Sequence, residues 1–158
     1  MGFKHDHDKQ GCLTLSDFDP RTFFTDQTAP PAPKHLGWTL LDFDMERGWV
    51  KIGFTPRKEF LNFGGSVQGG FLTAMLDDTL GPAVLIKAKR PLIVHTIDLH
   101  THFLRPVGIG DVVVEAECTK LGRSVAYTEA KLFDAAGKLC ARATSSAMYS
   151  EVTGDANA

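Results

Sequence analysis

A glycine pair and two adjacent acids in one apolar stretch are the residues of this chain best suited to catalysis. Gly69 and Gly70 open the run Phe-Leu-Thr-Ala-Met-Leu, and Asp77 and Asp78 follow it directly. If a helix begins at the glycines, its first N–H groups lie at the positive end of the helix dipole, where they can stabilise an oxyanion. A carboxylate two turns further along is costly to bury without a partner, so its position in an apolar run indicates a chemical role. The pattern therefore indicates an oxyanion site with a general base or a nucleophile nearby.

Asn62 and Gln68 lie just before this stretch and are candidates for orienting a substrate carbonyl. Amide side chains both donate and accept hydrogen bonds, which suits that task. The alternative is that the two amides cap a turn, a frequent role for amides in loops. For the glycines, the alternative is close packing of the helix on a sheet.

Composition predicts one compact domain. The chain has 158 residues, of which 43% are hydrophobic, and a formal net charge of −2, which argues against nucleic-acid binding. No apolar run reaches the roughly 18 residues of a membrane span. The start of the chain lacks the apolar core of a signal peptide, so we expect a cytoplasmic protein. Cys12, Cys118 and Cys140 lack metal-type spacing and are expected to be reduced packing residues; a Cys118–Cys140 disulfide is the less favoured alternative.

The elements that must position these residues begin after a polar leader. We expect residues 1–36 to be a partly disordered N-terminal extension with one short helix near Asp19–Asp26, ending in the proline cluster Ala29–Pro33. A domain over residues 37–150 and a tail over 151–158 complete the chain.

The domain pattern predicts two strands, one long helix and four further strands. Strands at Trp38–Met45 and Trp49–Phe54 flank a turn at Glu46–Gly48, and a helix runs from Gly69 to about Lys87, bent by Gly81-Pro82. This order is typical of an α+β fold in which an antiparallel sheet of about six strands wraps around one helix. The four later strands are predicted at Leu92–Leu104, Asp111–Lys120, Ser124–Phe133 and Lys138–Tyr149.

This order of elements, with the residues at its turning point, resembles the hotdog-fold acyl-CoA thioesterases of the phenylacetate-degradation (PaaI-like) type. The family pattern is an Asn, a His-Gly-Gly six residues later, and an acid nine residues after that His. Here Asn62, Gln68–Gly70 and Asp77 have the same spacing. The resemblance spans roughly residues 37–149 and includes the strand that ends in Arg105-Pro106. A neutral amide thus replaces the usual imidazole.

The resemblance implies a thioester hydrolase that needs neither a metal nor a redox cofactor. The Gly69 N–H would hold the oxyanion, and Asp77 would activate a water molecule or attack the carbonyl. The family spacing selects Asp77, so we expect Asp78 to be a solvated residue on the polar helix face. Further site residues implied by the resemblance are Asn62 and Gln68 at the carbonyl and Thr96 at the attacking water.

The resemblance also implies a coenzyme A site and an acyl pocket. The turn Gly122-Arg123-Ser124 would contact the phosphates of CoA, because a guanidinium binds phosphate well; a solvated turn is the alternative. Supplementary cations are Lys89, Arg90 and Lys120. Candidates for the acyl pocket, equally suited to the core, are Phe54, Phe60, Leu61, Phe63, Met75 and Leu80.

A single hotdog subunit leaves an open sheet edge, and the resemblance implies a homodimer with one continuous sheet, usually doubled to a homotetramer. Each active site would combine Asn62, Gln68 and Gly69 of one subunit with Asp77 and Thr96 of the other. Loss of the dimer would then abolish activity.

The histidines of the first strand after the helix could form a metal site. By strand alternation, Asp98, His100 and His102 share a face with Thr96 and resemble a zinc ligand set. No fourth ligand is evident, so we expect hydrogen-bonded structural groups and no metal.

Two other functions stay open for the chain as a whole. One is a hotdog hydratase or dehydratase, which needs a histidine paired with an acid near the helix; no histidine lies between His35 and His95, which argues against it. A non-catalytic acyl-CoA-binding module is the other, and Gln68 favours it.

Overall fold

The computed structural model describes residues 18–25 and 29–152, which form one antiparallel six-stranded sheet and one long helix. The strands follow the order β1-β2-β4-β5-β6-β3 across the sheet. The predicted sheet and central helix are thereby confirmed. The strands are β1 Thr39–Asp44, β2 Trp49–Phe54, β3 Leu92–Phe103, β4 Val112–Leu121, β5 Val125–Phe133 and β6 Leu139–Glu151; the helices are α1 Pro20–Phe23, α2 Pro31–Leu36 and α3 Gly69–Ala88, with a 3-10 turn at Lys58–Phe60.

The core lies between α3 and the inner face of the sheet. Alternate residues of each strand point toward the helix, as the period of two requires. On β2, for example, Val50, Ile52 and Phe54 are buried while Lys51 and Gly53 are half-buried. The buried face of α3 is formed by Leu72, Met75, Leu76, Thr79, Leu80, Ala83, Val84, Leu85 and Ile86.

The N-terminal extension contains more structure than the sequence predicted. Helix α1 falls within the predicted range, but the proline cluster begins a second helix, α2, that was not predicted. Proline suits the first turn of a helix because its missing N–H has no partner there. Gly37 ends α2 with φ of 74°, and Leu36 is buried in the core. The described part of the extension therefore packs on the domain; the tip, with Cys12, lies outside the described residues.

Strand β3 is an edge strand with an irregularity that the sequence analysis missed. It pairs with β6 alone, and a bulge interrupts the register between Thr96 and Asp98. Thr96 lies opposite Ala147, a buried residue, whereas Asp98 lies opposite Ser146. Residues that lie directly opposite in a sheet point to the same face. The expectation that Thr96 shares a face with Asp98, His100 and His102 is wrong, because the bulge reverses the alternation.

Cys118 and Cys140 are both buried free thiols, so the alternative of a Cys118–Cys140 disulfide is wrong.

Within residues 18–25 and 29–152, no helix is long and apolar enough to cross a membrane.

Candidate active site

A carboxylate and a hydroxyl meet between the central helix and the edge strand. The Thr96 hydroxyl donates a hydrogen bond of 2.9 Å to Oδ1 of Asp77. The bulge makes this contact possible, since it leaves Thr96 on the inner face while the next paired residue, Asp98, lies on the outer face. The bond orients the Asp77 carboxylate, and both groups line the same cavity.

Asp78 is not the solvated residue that the sequence analysis expected. Its Oδ2 is buried and has no hydrogen-bond partner among the described residues. Burial, together with the neighbouring charge of Asp77, raises the pKa of Asp78 from 3.8 to about 6. The helix therefore carries two adjacent carboxyl groups with different environments: Asp77 is held by a hydroxyl, and Asp78 is partly desolvated.

A cavity of about 730 Å³ extends from Asp77 and Thr96. Its walls are α3, the beginning of β3 and the described N-terminal residues 18–24 and 29–38. Most of the lining side chains are apolar, and the N-terminal segment contributes several aromatic rings. Besides the two acids and Thr96, the lining comprises Phe18, Asp19, Thr22, Phe23, Phe24, Ala29, Pro30, Pro33, Trp38, Gly81, Pro82, Leu85, Pro91, Leu92 and Val94.

The six residues proposed from the sequence for the acyl pocket do not line this cavity. Phe54, Phe60, Met75 and Leu80 belong to the buried core, and Phe63 is fully exposed. The sequence analysis did not anticipate the lining of this cavity, because it treated the polar leader as an extension. The signal was present: Phe18, Phe23 and Phe24 are a dense aromatic cluster within an otherwise polar segment.

The helix N-terminus presents free donors, as the glycine pair predicted. Among the described residues, none accepts a hydrogen bond from the N–H of Gly69 or Gly70. A Cβ at Gly70 would meet nothing within 4 Å, whereas one at Gly69 would lie 3.1 Å from the Phe103 ring. Packing within the subunit therefore explains a glycine at Gly69 but not at Gly70. The Gln68 side chain makes no cap hydrogen bond and is exposed, which leaves its amide available for a ligand.

Asn62 has a structural task that matches the turn-capping alternative. Its Oδ1 accepts hydrogen bonds from the N–H groups of Gly64 at 2.9 Å and Ser66 at 3.3 Å. Its Nδ2 donates to the Ser66 hydroxyl at 3.2 Å. Asn62 thus organises the loop that leads into α3.

The predicted site residues fall into two groups within one subunit. Gln68 and Gly69 lie at the start of α3, while Asp77 and Thr96 lie two turns further along. Eight residues of helix separate Gly69 from Asp77, which corresponds to about 12 Å. One thioester carbonyl is too small to contact both groups in the same subunit.

The turn at Gly122–Ser124 lies at the same end of the sheet as Thr96. Thr96 pairs with Ala147, which pairs with Ala126 near the start of β5, so Thr96 and Ala126 lie two strand spacings, about 10 Å, apart, and the turn precedes Ala126. A Cβ at Gly122 would lie 2.7 Å from the Val125 carbonyl oxygen, so this position requires glycine.

The cations differ in availability. Arg123 is exposed and makes no ion pair with a described residue. Of the supplementary cations, Lys89 pairs with Glu46 and Arg90 pairs with Glu151 at 2.8 Å. Lys120 is exposed.

The histidines of β3 form a pair on the outer face. Nε2 of His100 lies 3.3 Å from Nε2 of His102. Hydrogen bonds from the side chain and backbone of Ser146 lower the pKa of Asp98. No group of three or more potential metal ligands occurs in the described part of the chain.

A sheet wrapped on one helix is the hotdog fold, and the carboxylate–hydroxyl pair at a cavity, with N–H groups at the helix start that have no acceptor among the described residues, is a hydrolase-like arrangement. Residues 64–141 match the model of the thioesterase superfamily. Human acyl-coenzyme A thioesterase 13 is 32% identical over 97 residues, which cover 60% of this chain and 69% of that protein. The chain belongs to the thioesterase superfamily, and the prediction of a thioester hydrolase is confirmed.

Solved structures agree with this assignment. The phenylacetic acid degradation-related protein of Ralstonia eutropha JMP134 is 35% identical, with a TM-score of 0.71, covering 77% of this chain and 92% of that one. The PaaI protein of E. coli has a TM-score of 0.70 at 20% identity, covering 77% of this chain and 86% of that one, and shows the fold alone. The predicted hotdog fold and the resemblance to PaaI-like proteins are confirmed.

Proposed function

We propose that this protein is an acyl-CoA thioesterase, which hydrolyses an acyl-CoA to the free acid and CoA. The observation that carries the proposal is the Asp77–Thr96 hydrogen bond at the end of an apolar cavity. An oriented carboxylate beside space for an acyl group is what attack on a thioester requires. The relative named acyl-coenzyme A thioesterase 13 supports the choice of substrate.

The Asp77 carboxylate either takes a proton from a water molecule or attacks the carbonyl itself. The Thr96 hydroxyl keeps this carboxylate oriented. The tetrahedral intermediate places a negative charge on the former carbonyl oxygen. The N–H of Gly69, with the amide of Gln68 beside it, stabilises that charge. Collapse of the intermediate breaks the C–S bond, and the thiolate of CoA leaves. If Asp77 activated water, the free acid is formed directly and the thiolate takes up the proton that Asp77 removed. If Asp77 attacked, a water molecule then hydrolyses the acyl–aspartyl anhydride, which releases the acid, restores Asp77 and supplies the proton. These roles need neither a metal ion nor a redox cofactor.

Two copies of the chain are needed to complete this site. The start of α3 and Asp77 lie about 12 Å apart within one subunit. Strand β3 is a twelve-residue edge with exposed Ile93 and Ile97, a suitable edge for pairing with a second copy. In the dimer, Gln68 and Gly69 of one subunit face Asp77 and Thr96 of the other, and two dimers form a tetramer. We place the protein in the cytoplasm.

The CoA moiety binds at the turn Gly122–Ser124, with Arg123 at its phosphates. An exposed guanidinium without an ion-pair partner among the described residues is suited to that contact. Asn62 acts indirectly, by holding the loop before α3 in place.

The test is release of free thiol from a panel of acyl-CoAs, measured beside acyl-CoA binding by calorimetry. A thioesterase turns over at least one member, and Asp77→Asn abolishes turnover while binding persists. Binding without turnover by the parent protein identifies the non-catalytic acyl-CoA-binding alternative. Addition of water to an enoyl-CoA without thiol release identifies a hydratase.

A further inference from the structure

The N-terminal segment forms an aromatic wall on the cavity, which consists of Phe18, Phe23, Phe24 and Trp38. The rings contact one another edge to face: Phe18 and Phe23 have centroids 5.3 Å apart at 61°, and Phe23 and Phe24 lie 5.0 Å apart at 88°. Phe24 in turn contacts Trp38 at 5.8 Å. This wall is a connected packing unit, because each ring is held by the next.

The aromatic wall lies outside the stretch that matches the family model. That match begins at residue 64, so all four rings precede it. Asp77 and Thr96, which line the same cavity, lie within the match. The reacting groups thus come from the stretch that matches the family model, and the aromatic wall comes from the segment before it.

A helix defect anchors the wall. Pro82 has no N–H, so the carbonyl of Asp78, four residues earlier, has no intrahelical donor. The indole Nε1 of Trp38 donates to that carbonyl at 3.3 Å. Trp38 is thereby fixed to α3 at Asp78, one residue beyond Asp77. Because Phe24 packs on the Trp38 ring, this hydrogen bond also fixes Phe24 relative to the helix.

The cavity is far larger than a short acyl group requires. Its volume of about 730 Å³ lies in the range of sites that enclose whole drug-sized ligands. An acetyl group would leave most of the apolar lining without contacts. An acyl group with a ring or a longer chain would reach the aromatic wall and bury its apolar surface there.

Resting on the proposed function, we propose that the aromatic wall selects the acyl group and that the substrates are acyl-CoAs with a bulky apolar acyl group. The specificity-determining residues are Phe18, Phe23, Phe24 and Trp38, which contact the acyl group and take no part in bond making or breaking. Their contacts are made by the tail of the acyl group and are absent with a short substrate.

The experiment compares kcat/KM for acetyl-CoA, octanoyl-CoA and phenylacetyl-CoA in full-length parent and variants. Phe24→Ala and Trp38→Ala should lower kcat/KM for the two bulky substrates about 10- to 100-fold, the range for lost contacts in an apolar pocket. Acetyl-CoA should change less than about threefold. Tyr127→Ala, an exposed aromatic on the outer face of β5, is the matched control and should leave the ratios unchanged.

Equal losses on all three substrates by a folded variant would overturn the proposal, as would no loss on any. Circular dichroism reports folding, and Phe18→Ala, at the edge of the wall, supplies a second variant if Trp38→Ala does not fold. Calorimetry with free octanoate and phenylacetate gives a readout independent of turnover. If the parent binds these acids through the aromatic wall but hydrolyses no acyl-CoA, the thioesterase proposal is wrong and the role of the wall in acyl binding is supported. If the parent hydrolyses all three substrates equally well, the wall does not select the acyl group and the thioesterase proposal is supported.

Discussion

At the scale of single residues, the two adjacent acids of α3 lie in different environments, and we expect them to differ in their effect on activity. Asp77 is held by Thr96 and faces the cavity, so Asp77→Asn should lower turnover at least about a hundredfold, as expected for loss of a general base. Asp78→Asn should cost far less, because no described residue orients the Asp78 carboxyl through a hydrogen bond. Steady-state thiol release by both variants is the measurement. A larger loss at Asp78 would reverse the assignment.

Asp78 should make the stability of the protein depend on pH. Its pKa is about 6 in the folded state against an ordinary value of 3.8, so between these values the folded state holds a proton that the unfolded state has lost. Stability contributed by Asp78 therefore falls as pH rises from about 4 to 6. We expect Asp78→Asn to be more stable than the parent above pH 6, with the difference vanishing toward pH 4. Urea denaturation at several pH values measures this. A constant difference across that range contradicts it.

Gln68 should act as a neutral hydrogen-bonding group. Gln68→Ala should lower turnover by a factor of roughly ten to a thousand, the range for loss of an oxyanion donor. Gln68→His should keep or raise activity, since it restores the residue usual in the resembled family. The parent should show no ascending limb near pH 6.5 that disappears in the alanine variant. The measurement is thiol release by all three proteins from pH 5 to 9. An alanine variant as fast as the parent would show that Gln68 does not bind the carbonyl and that the Gly69 N–H stabilises the oxyanion without it.

At the scale of elements, Pro82 should couple α3 to the N-terminal segment. Pro82→Ala supplies an N–H for the Asp78 carbonyl and so competes with Trp38. We expect a lower preference for bulky acyl groups without loss of folding stability. Trp38→Phe removes the same hydrogen bond from the other side and is the matched partner. The double variant should prefer bulky over short acyl groups as strongly as either single variant does. A double-mutant cycle on the ratio of kcat/KM values for the two kinds of substrate measures this. Additive losses would mean that the two residues act separately.

The elements also mark what the sequence could predict. The predicted bounds of α3, Gly69 to about Lys87, agree with the observed helix, which ends at Ala88. A long, mostly apolar run after the glycine pair is a strong local signal. The bulge at Thr96 was not predictable from alternation, since an inserted residue leaves no mark in an apolar–polar pattern. Helix α2 was missed because prolines at a helix start resemble a loop. The Asp77–Thr96 pair came from family spacing, whereas the aromatic wall depends on tertiary packing of distant segments.

At the scale of the whole molecule, activity should depend on pairing through β3. Ile97 lies at the bulge of this edge and is 56% exposed. Ile97→Lys places like charges at the paired edges, so the dimer should weaken and activity should fall with it. Leu41→Lys, on β1 at the opposite edge of the sheet, is the control and should change neither. Light scattering and thiol release on the same samples measure both quantities. A monomer with full activity would show that one subunit contains a complete site.

The buried thiols have a consequence for an enzyme whose product is itself a thiol. Burial raises the pKa of Cys118, against the opposing effect of the Lys87 cation, and burial also raises the pKa of Cys140. Thiol–disulfide exchange requires a thiolate with access to the partner disulfide. These two cysteines are therefore poorly placed to exchange with any disulfide that forms when a released thiol is oxidised in the surrounding solution.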